Sequence, residues 1–212
     1  MNKIEYFNKE YSYIKDNKKR EDLKLLVNEL PDYFFDIPAS STGKYHPDFA
    51  KSEHGLVKHT KVAVRFAKEL LDNPGLNNFS DNEKDIIIMA IVLHDGCKSG
   101  RVKEKYTRFD HPLVVCELIK ESRSKLSLTD EEFNLLIRVI SSHMGIWNKR
   151  VIRANGLLQR EVRRYYQNLK MMSSFLYICV IIYLVRGLLM LDLMELILET
   201  NIFSLFFIYL DR

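Results

Sequence analysis

Residues 85–98 read Asp85-Ile86-Ile87-Ile88-Met89-Ala90-Ile91-Val92-Leu93-His94-Asp95-Gly96-Cys97-Lys98, and this stretch decides the fold. Nine of these fourteen residues are apolar, and neither Gly nor Pro interrupts them before Gly96. A run of that kind is a helix buried on most sides. It ends by delivering an imidazole and a carboxylate, His94 and Asp95, to the rim of a core, and both are metal-ligand types. Gly96 is expected to let the chain turn there. A His-Asp pair at a helix end is more often a cap or a surface pair, so the other histidines have to carry the metal reading.

Six histidines are present. Besides His94, His59 in Gly-Leu-Val-Lys-His-Thr, His111 in Phe-Asp-His-Pro and His143 in Ser-Ser-His-Met-Gly each fall on or beside an expected helix. Working outward, a helix is expected from about Lys18 to Leu30, with Leu23, Leu25, Leu26 and Leu30 at helical spacing and Pro31 as its stop. Residues 32–50, with Pro38, Pro47 and a polar run, read as a loop. A helix from Glu53 places Val57, Val62, Val64, Phe66, Ala67, Leu70 and Leu71 around His59 and closes at Pro74-Gly75. Ser80 with Glu83, and Thr129 with Glu132, are capping boxes that set two further helix starts. Between them, a turn-rich stretch at 99–110 precedes a helix beginning near His111-Pro112. Strand-type alternation is scarce, so the fold class is all-α, a helical bundle.

Composition narrows the function classes. At 212 residues the chain is long enough for one substantial core. Its formal charge of +4 comes from 32 basic residues interleaved with 28 acidic ones, which gives no specific nucleic-acid signal. Three cysteines, Cys97, Cys116 and Cys179, form no CxxC pair, which points to reduced thiols in a cytoplasm rather than a disulfide framework. The N-terminus lacks the apolar core of a secretory signal.

Imidazoles and a carboxylate suit divalent ions such as iron, manganese, zinc or nickel. With His59, His94 and Asp95 on one ion and His111 and His143 on another, Asp95 is the natural bridge. Two ions sharing a water generate a nucleophile near neutral pH and neutralise charge on a phosphoryl oxygen.

The order His59, His94-Asp95, His111, His143 resembles the HD superfamily of metal-dependent phosphohydrolases, in the variant with two extra histidines that often holds two ions. The surrounding wording is similar to phage and prophage members: Pro38-Ala39-Ser40-Ser41-Thr42-Gly43-Lys44-Tyr45-His46-Pro47, Gly55-Leu56-Val57-Lys58-His59-Thr60 and Leu93-His94-Asp95-Gly96-Cys97-Lys98-Ser99-Gly100. The likeness runs from about Asp32 to Trp147. It implies a helical bundle of the HD type and hydrolysis of a phosphomonoester or phosphodiester, in a small phosphorylated substrate of nucleotide type, by a metal-activated hydroxide. One or two divalent ions are implied, iron, manganese or another transition metal, with magnesium admissible. His59, His94, Asp95, His111 and His143 would be the ligands, Asp95 and Lys98 the catalytic groups, and Lys98, Lys44 and Arg101 the contacts to phosphate. Lys44 would act from an anion-binding loop with Ser41 and Thr42, whereas Arg101 and Arg108 also read as ordinary loop residues. His46 and His54 read as structural or supporting. The competing class is a non-catalytic helical module that binds a nucleotide or a protein.

The expected organisation is an N-terminal helical extension at 1–31, an HD-type metal-binding domain at 32–164 and an apolar tail at 165–212. The family pattern ends in an aspartate on a later helix, which this chain does not supply where expected; Asp192 is the nearest substitute. Two readings of the tail stand. It is either one or two membrane-seeking helices, although no apolar run reaches the roughly 20 residues of a simple span, or sequence translated out of frame. Codons for residues 176–183, read two bases later, can spell Val-His-Leu-Cys-Asp-Tyr-Leu, with the aspartate straddling Val180 and Ile181. The out-of-frame reading predicts that the gene, sequenced across the codons of residues 160–185, spells that motif in the shifted frame; triplets that do not spell it rule the reading out.

Overall fold

A computed structural model describes residues 2–42, 48–75 and 79–143. Lys44, His46 and the whole of 144–212, including Cys179, Asp192 and the apolar tail, lie outside the described residues. Among the described residues the chain forms α-helices α1 (Asn8–Tyr11), α2 (Asn17–Glu29), α3 (Gly55–Asp72), α4 (Asp81–Leu93), α5 (His111–Glu121) and α6 (Asp130–Ser142), with short 3-10 turns and no strand. The fold is all-α. No helix among the described residues is long and apolar enough to cross a membrane.

The axis of this bundle is α4. Ser80 Oγ accepts from Glu83 N at 3.3 Å, and the Glu83 carboxylate accepts from Ser80 N at 2.8 Å, so the capping box fixes where the helix begins. From Asp85 to Leu93 every residue is buried. Full burial of each Ile, Leu or Met side chain contributes about 1.5–3 kcal/mol, which is why the most apolar stretch of the sequence takes the centre. α3, α6 and α2 all pack against it, and α5 is held against α6. The second capping box is also formed, with Glu132 N donating to Thr129 Oγ1 at 3.3 Å and Thr129 N to Glu132 Oε2 at 2.8 Å.

Residues 2–31 share this core. Phe7, Ile14, Leu23, Leu26 and Leu30 are completely buried, and the Phe7 ring lies 6.3 Å from that of Phe34. Two buried carboxylates tie the segment in. Asp85, inside α4, accepts from the backbone N–H of Lys15 at 2.8 Å and of Asp16 at 2.9 Å. Asp22, on α2, accepts from Ser127 N at 2.9 Å and Ser127 Oγ at 2.8 Å, just ahead of α6.

The stretch 32–50, expected as a plain loop, differs in two respects. It contains 3-10 turns at Asp32–Phe35 and Asp48–Ala50, and Tyr33, Phe34 and Phe35 are buried. Aromatic payload outweighs the polar composition on either side of it. At its end the chain enters α3 through Gly55, where an added Cβ would lie 2.2 Å from the Ala50 carbonyl oxygen. Only glycine fits that approach.

Asp85→Ala would remove the acceptor of two part-buried N–H donors and should lower unfolding free energy by about 1–3 kcal/mol. Urea titration checks this, with the midpoint falling at constant slope. Asp81→Ala, which removes an exposed partner of Lys15, should leave the midpoint near wild type.

Candidate metal centre

Each expected ligand arrives on a different element. His59 lies in the second turn of α3, His94 caps the C-terminus of α4, His111 is the first residue of α5 and His143 caps α6. All converge on Asp95, which is 2% exposed. Its two oxygens divide the cluster. Oδ2 faces His94 Nε2 at 3.4 Å and His59 Nε2 at 3.9 Å, while Oδ1 faces His111 Nε2 at 2.8 Å and His143 Nε2 at 3.4 Å. Two donor groups result, His59/His94/Asp95 and Asp95/His111/His143, each with its atoms within 4.8 Å of one another. Asp95 belongs to both.

Backbone carbonyls set the imidazole tautomers. His94 Nδ1 lies 2.6 Å from Ile91 O, and His111 Nδ1 lies 2.6 Å from Arg108 O. A carbonyl only accepts, so Nδ1 carries a proton in each ring, and Nε2, the atom turned towards Asp95, is the one that a neutral ring offers as a ligand. His111 Nε2 is also 2.9 Å from His143 Nε2. Buried Oδ1 receives no hydrogen bond from a conventional donor. With the rings in their neutral form, Nε2 lone pairs and carboxylate oxygens would face one another in a desolvated pocket, an arrangement stabilised when cations lie among them. This donor chemistry fits divalent metal.

Electrostatics keep Asp95 and His143 in ligand form. Burial by itself would push the Asp95 carboxyl up, but the Lys98 ammonium and the surrounding imidazoles hold it well below the usual carboxylate range. Burial, reinforced by His94 and His111, pushes His143 down to about 3 against the opposing pull of Asp95, so this imidazole is neutral at physiological pH. Burial pushes the Cys97 thiol up to about 11, which leaves it protonated and inert.

The chain turns at Gly96, as the sequence leads one to expect. Gly96 is not left-handed; the chain continues out of α4 in tight turns, with Gly96 N on Leu93 O at 2.9 Å, Lys98 N on Asp95 O at 3.0 Å and Gly100 N on Cys97 O at 2.8 Å. Reversal comes at Gly100, whose φ is +91°. The winding puts Lys98 on the same side as Asp95, Nζ 2.6 Å from Oδ2, both buried. Tyr33 pins this turn: its hydroxyl donates to Gly100 O and accepts from Ser99 N at 3.0 Å. Nothing in the sequence pattern marked Tyr33; only its place in the buried aromatic triplet 33–35 could have done so.

The remaining expected residues are placed elsewhere. Arg101 forms a two-pronged pair with Glu121 at 2.9 and 2.8 Å on the surface, and Arg108 pairs with Glu104 and Asp110. His54 stands outside the cluster, with left-handed backbone at the entrance to α3 and Nδ1 2.6 Å from Phe35 O.

Comparison with known proteins gives distant relatives. The 3'-5' exoribonucleases YhaM of Listeria welshimeri, Listeria monocytogenes and Listeria innocua are each 30% identical to this chain over 131 residues. The matched segment is 58% of this chain, and the chain covers only 38% of the length of those relatives. No family model and no solved structure matches. The chain is a distant homologue of these exoribonucleases, and its buried His/Asp cluster fits an HD-type metal site.

Elemental analysis of the purified protein should find a divalent metal, and His94→Ala combined with Asp95→Ala should reduce it to background while helical circular dichroism persists. Full metal retention in a folded double variant would refute the site.

Proposed function

We propose that this chain is a metal-dependent phosphohydrolase that cleaves a phosphoester of a nucleotide or RNA. One observation carries the reading: two buried donor groups share the Asp95 carboxylate, with a lysine ammonium in contact with the same carboxylate. The distant likeness to proteins named as exoribonucleases supports the class of substrate. In this reading His59, His94 and Asp95 hold one ion, and Asp95, His111 and His143 the other. Bound there, divalent ions supply Lewis acidity and an activated water.

The protein's own groups have separable tasks. Asp95 spaces the two donor groups through its two oxygens. The carbonyls of Ile91 and Arg108 fix the rings of His94 and His111, so that Nε2 is presented without rotamer search. Lys98 gives one N–H to Asp95 Oδ2, leaving two for a phosphoryl oxygen, where charge grows during cleavage. Tyr33 keeps the turn that carries Lys98 in register. Arg101 would contact substrate only after leaving Glu121, so Lys98 is the preferred phosphate contact. His59, its side chain 12% exposed, is the most open of the four imidazoles.

Turnover of bis(p-nitrophenyl) phosphate and of a nucleotide and oligoribonucleotide panel, with Mn²⁺ added, tests this reading. Lys98→Met should lower kcat by roughly 100-fold with metal content unchanged. A metal-loaded wild-type protein that turns over none of these substrates would overturn the hydrolase and favour a binding module.

A further inference from the structure

Residues 99–110 leave the cluster and return to it. At one end Lys98 touches Asp95 Oδ2, and at the other His111 touches Asp95 Oδ1. The backbone closes between them, with Arg108 N donating to Lys98 O at 2.9 Å and Glu104 N to Ser99 O at 2.8 Å. This is a compact loop with tied ends. With five residues from base to tip at about 3.3–3.6 Å each, no part of it lies more than roughly 18 Å from its base at the cluster.

Its surface is unlike that of an ordinary solvated loop. Val102, Tyr106 and Phe109 are 84%, 60% and 73% exposed, the most exposed large hydrophobic side chains among the described residues. The loop also carries four basic and two acidic residues. Both acids are taken by Arg108, and Arg101 is neutralised by Glu121. Lys103 and Lys105 are exposed, with no acidic partner among the described residues, and Lys105 Nζ lies 5.3 Å from the centre of the Tyr106 ring. Two uncompensated positive charges therefore flank two solvent-facing rings, beside a site read as a phosphoester hydrolase.

We propose that this loop is a platform for the single-stranded end of a polynucleotide. Tyr106 and Phe109 stack on bases, Lys103 and Lys105 meet backbone phosphates, and the strand's terminal phosphoester enters at Asp95. Rings that face solvent accept unpaired bases, which a duplex keeps stacked on one another. Lysines spaced two apart match a phosphate chain rather than an apolar protein surface. The proposal rests on the phosphohydrolase reading and narrows its substrate from a free nucleotide to a strand.

The test uses the full chain as purified and a fluorescent phosphorothioate-linked oligoribonucleotide that resists cleavage, followed by anisotropy. Tyr106→Ala with Phe109→Ala should weaken single-strand binding about tenfold or more. Lys103→Ala with Lys105→Ala should make the log-log salt dependence shallower by roughly 1.4, at about 0.7 per phosphate contact. A duplex of the same length should bind at least tenfold less tightly. All four side chains are exposed, and an unchanged thermal melt confirms folding. Unchanged affinity in the aromatic variant, or equal affinity for the duplex, overturns the platform. Turnover of bis(p-nitrophenyl) phosphate by a wild type that does not bind the strand overturns the platform and leaves the hydrolase reading intact. Ring-dependent strand binding without turnover of any substrate supports the platform and overturns that reading.

Discussion

The structure depends on one carboxylate. Asp95 is buried, ionised and placed so that each of its oxygens faces a different pair of imidazoles. A buried carboxylate is costly unless charge of opposite sign is close. Lys98 supplies part of that charge. The rings of His94 and His111, whose Nε2 atoms are held towards Asp95 by carbonyls on the far side of each ring, can supply more of it only while Nε2 carries a proton, and a protonated ring binds no metal. The cluster therefore calls for cations by its own bonding pattern, independently of any likeness to other proteins.

Such a site needs a rigid support, and α4 provides it. A helix with nine consecutive buried residues cannot rotate or slide without losing several kcal/mol of apolar burial. α3 and α6, which bring His59 and His143, pack directly on it, so the distances among these imidazoles are set by helix packing rather than by loops. His111 is the exception, because it follows the loop at 99–110. There the constraint is local: Arg108 N on Lys98 O closes the loop, and Arg108 O then receives the His111 ring. One residue thus ties both the loop base and a ligand.

Much of this was legible in the sequence. The eight-residue apolar run ending in His-Asp gave the central helix, both capping boxes formed as read, and the histidines at 59, 94, 111 and 143 were recognisable because helical periodicity places each at a helix or its end. The rest depends on contacts that no local pattern encodes. Asp85 holds a backbone turn about 70 residues earlier in the chain, and Asp22 holds Ser127, 105 residues later. Tyr33 meets Gly100 across 67 residues. Each reads in sequence as an ordinary polar residue near a helix or a turn. The chain does turn at Gly96, but how it turns was not legible: it stays right-handed where the turn is tied by backbone bonds, and the positive φ is deferred to Gly100.

Charge gives the same lesson at another scale. A net charge of +4 spread over 212 residues selects no partner. Pairing redistributes it: among the described residues, Arg101 and Arg108 are cancelled by neighbouring carboxylates, whereas Lys103 and Lys105 are not. What a charged group meets at the loop surface is set by this local remainder, because at physiological ionic strength charges more than about 8 Å away are largely screened. Two lysines and two exposed rings on a tied loop consequently say more about the substrate than the whole composition does. Their position follows from Asp95, since the same carboxylate anchors the residues at both ends of the loop.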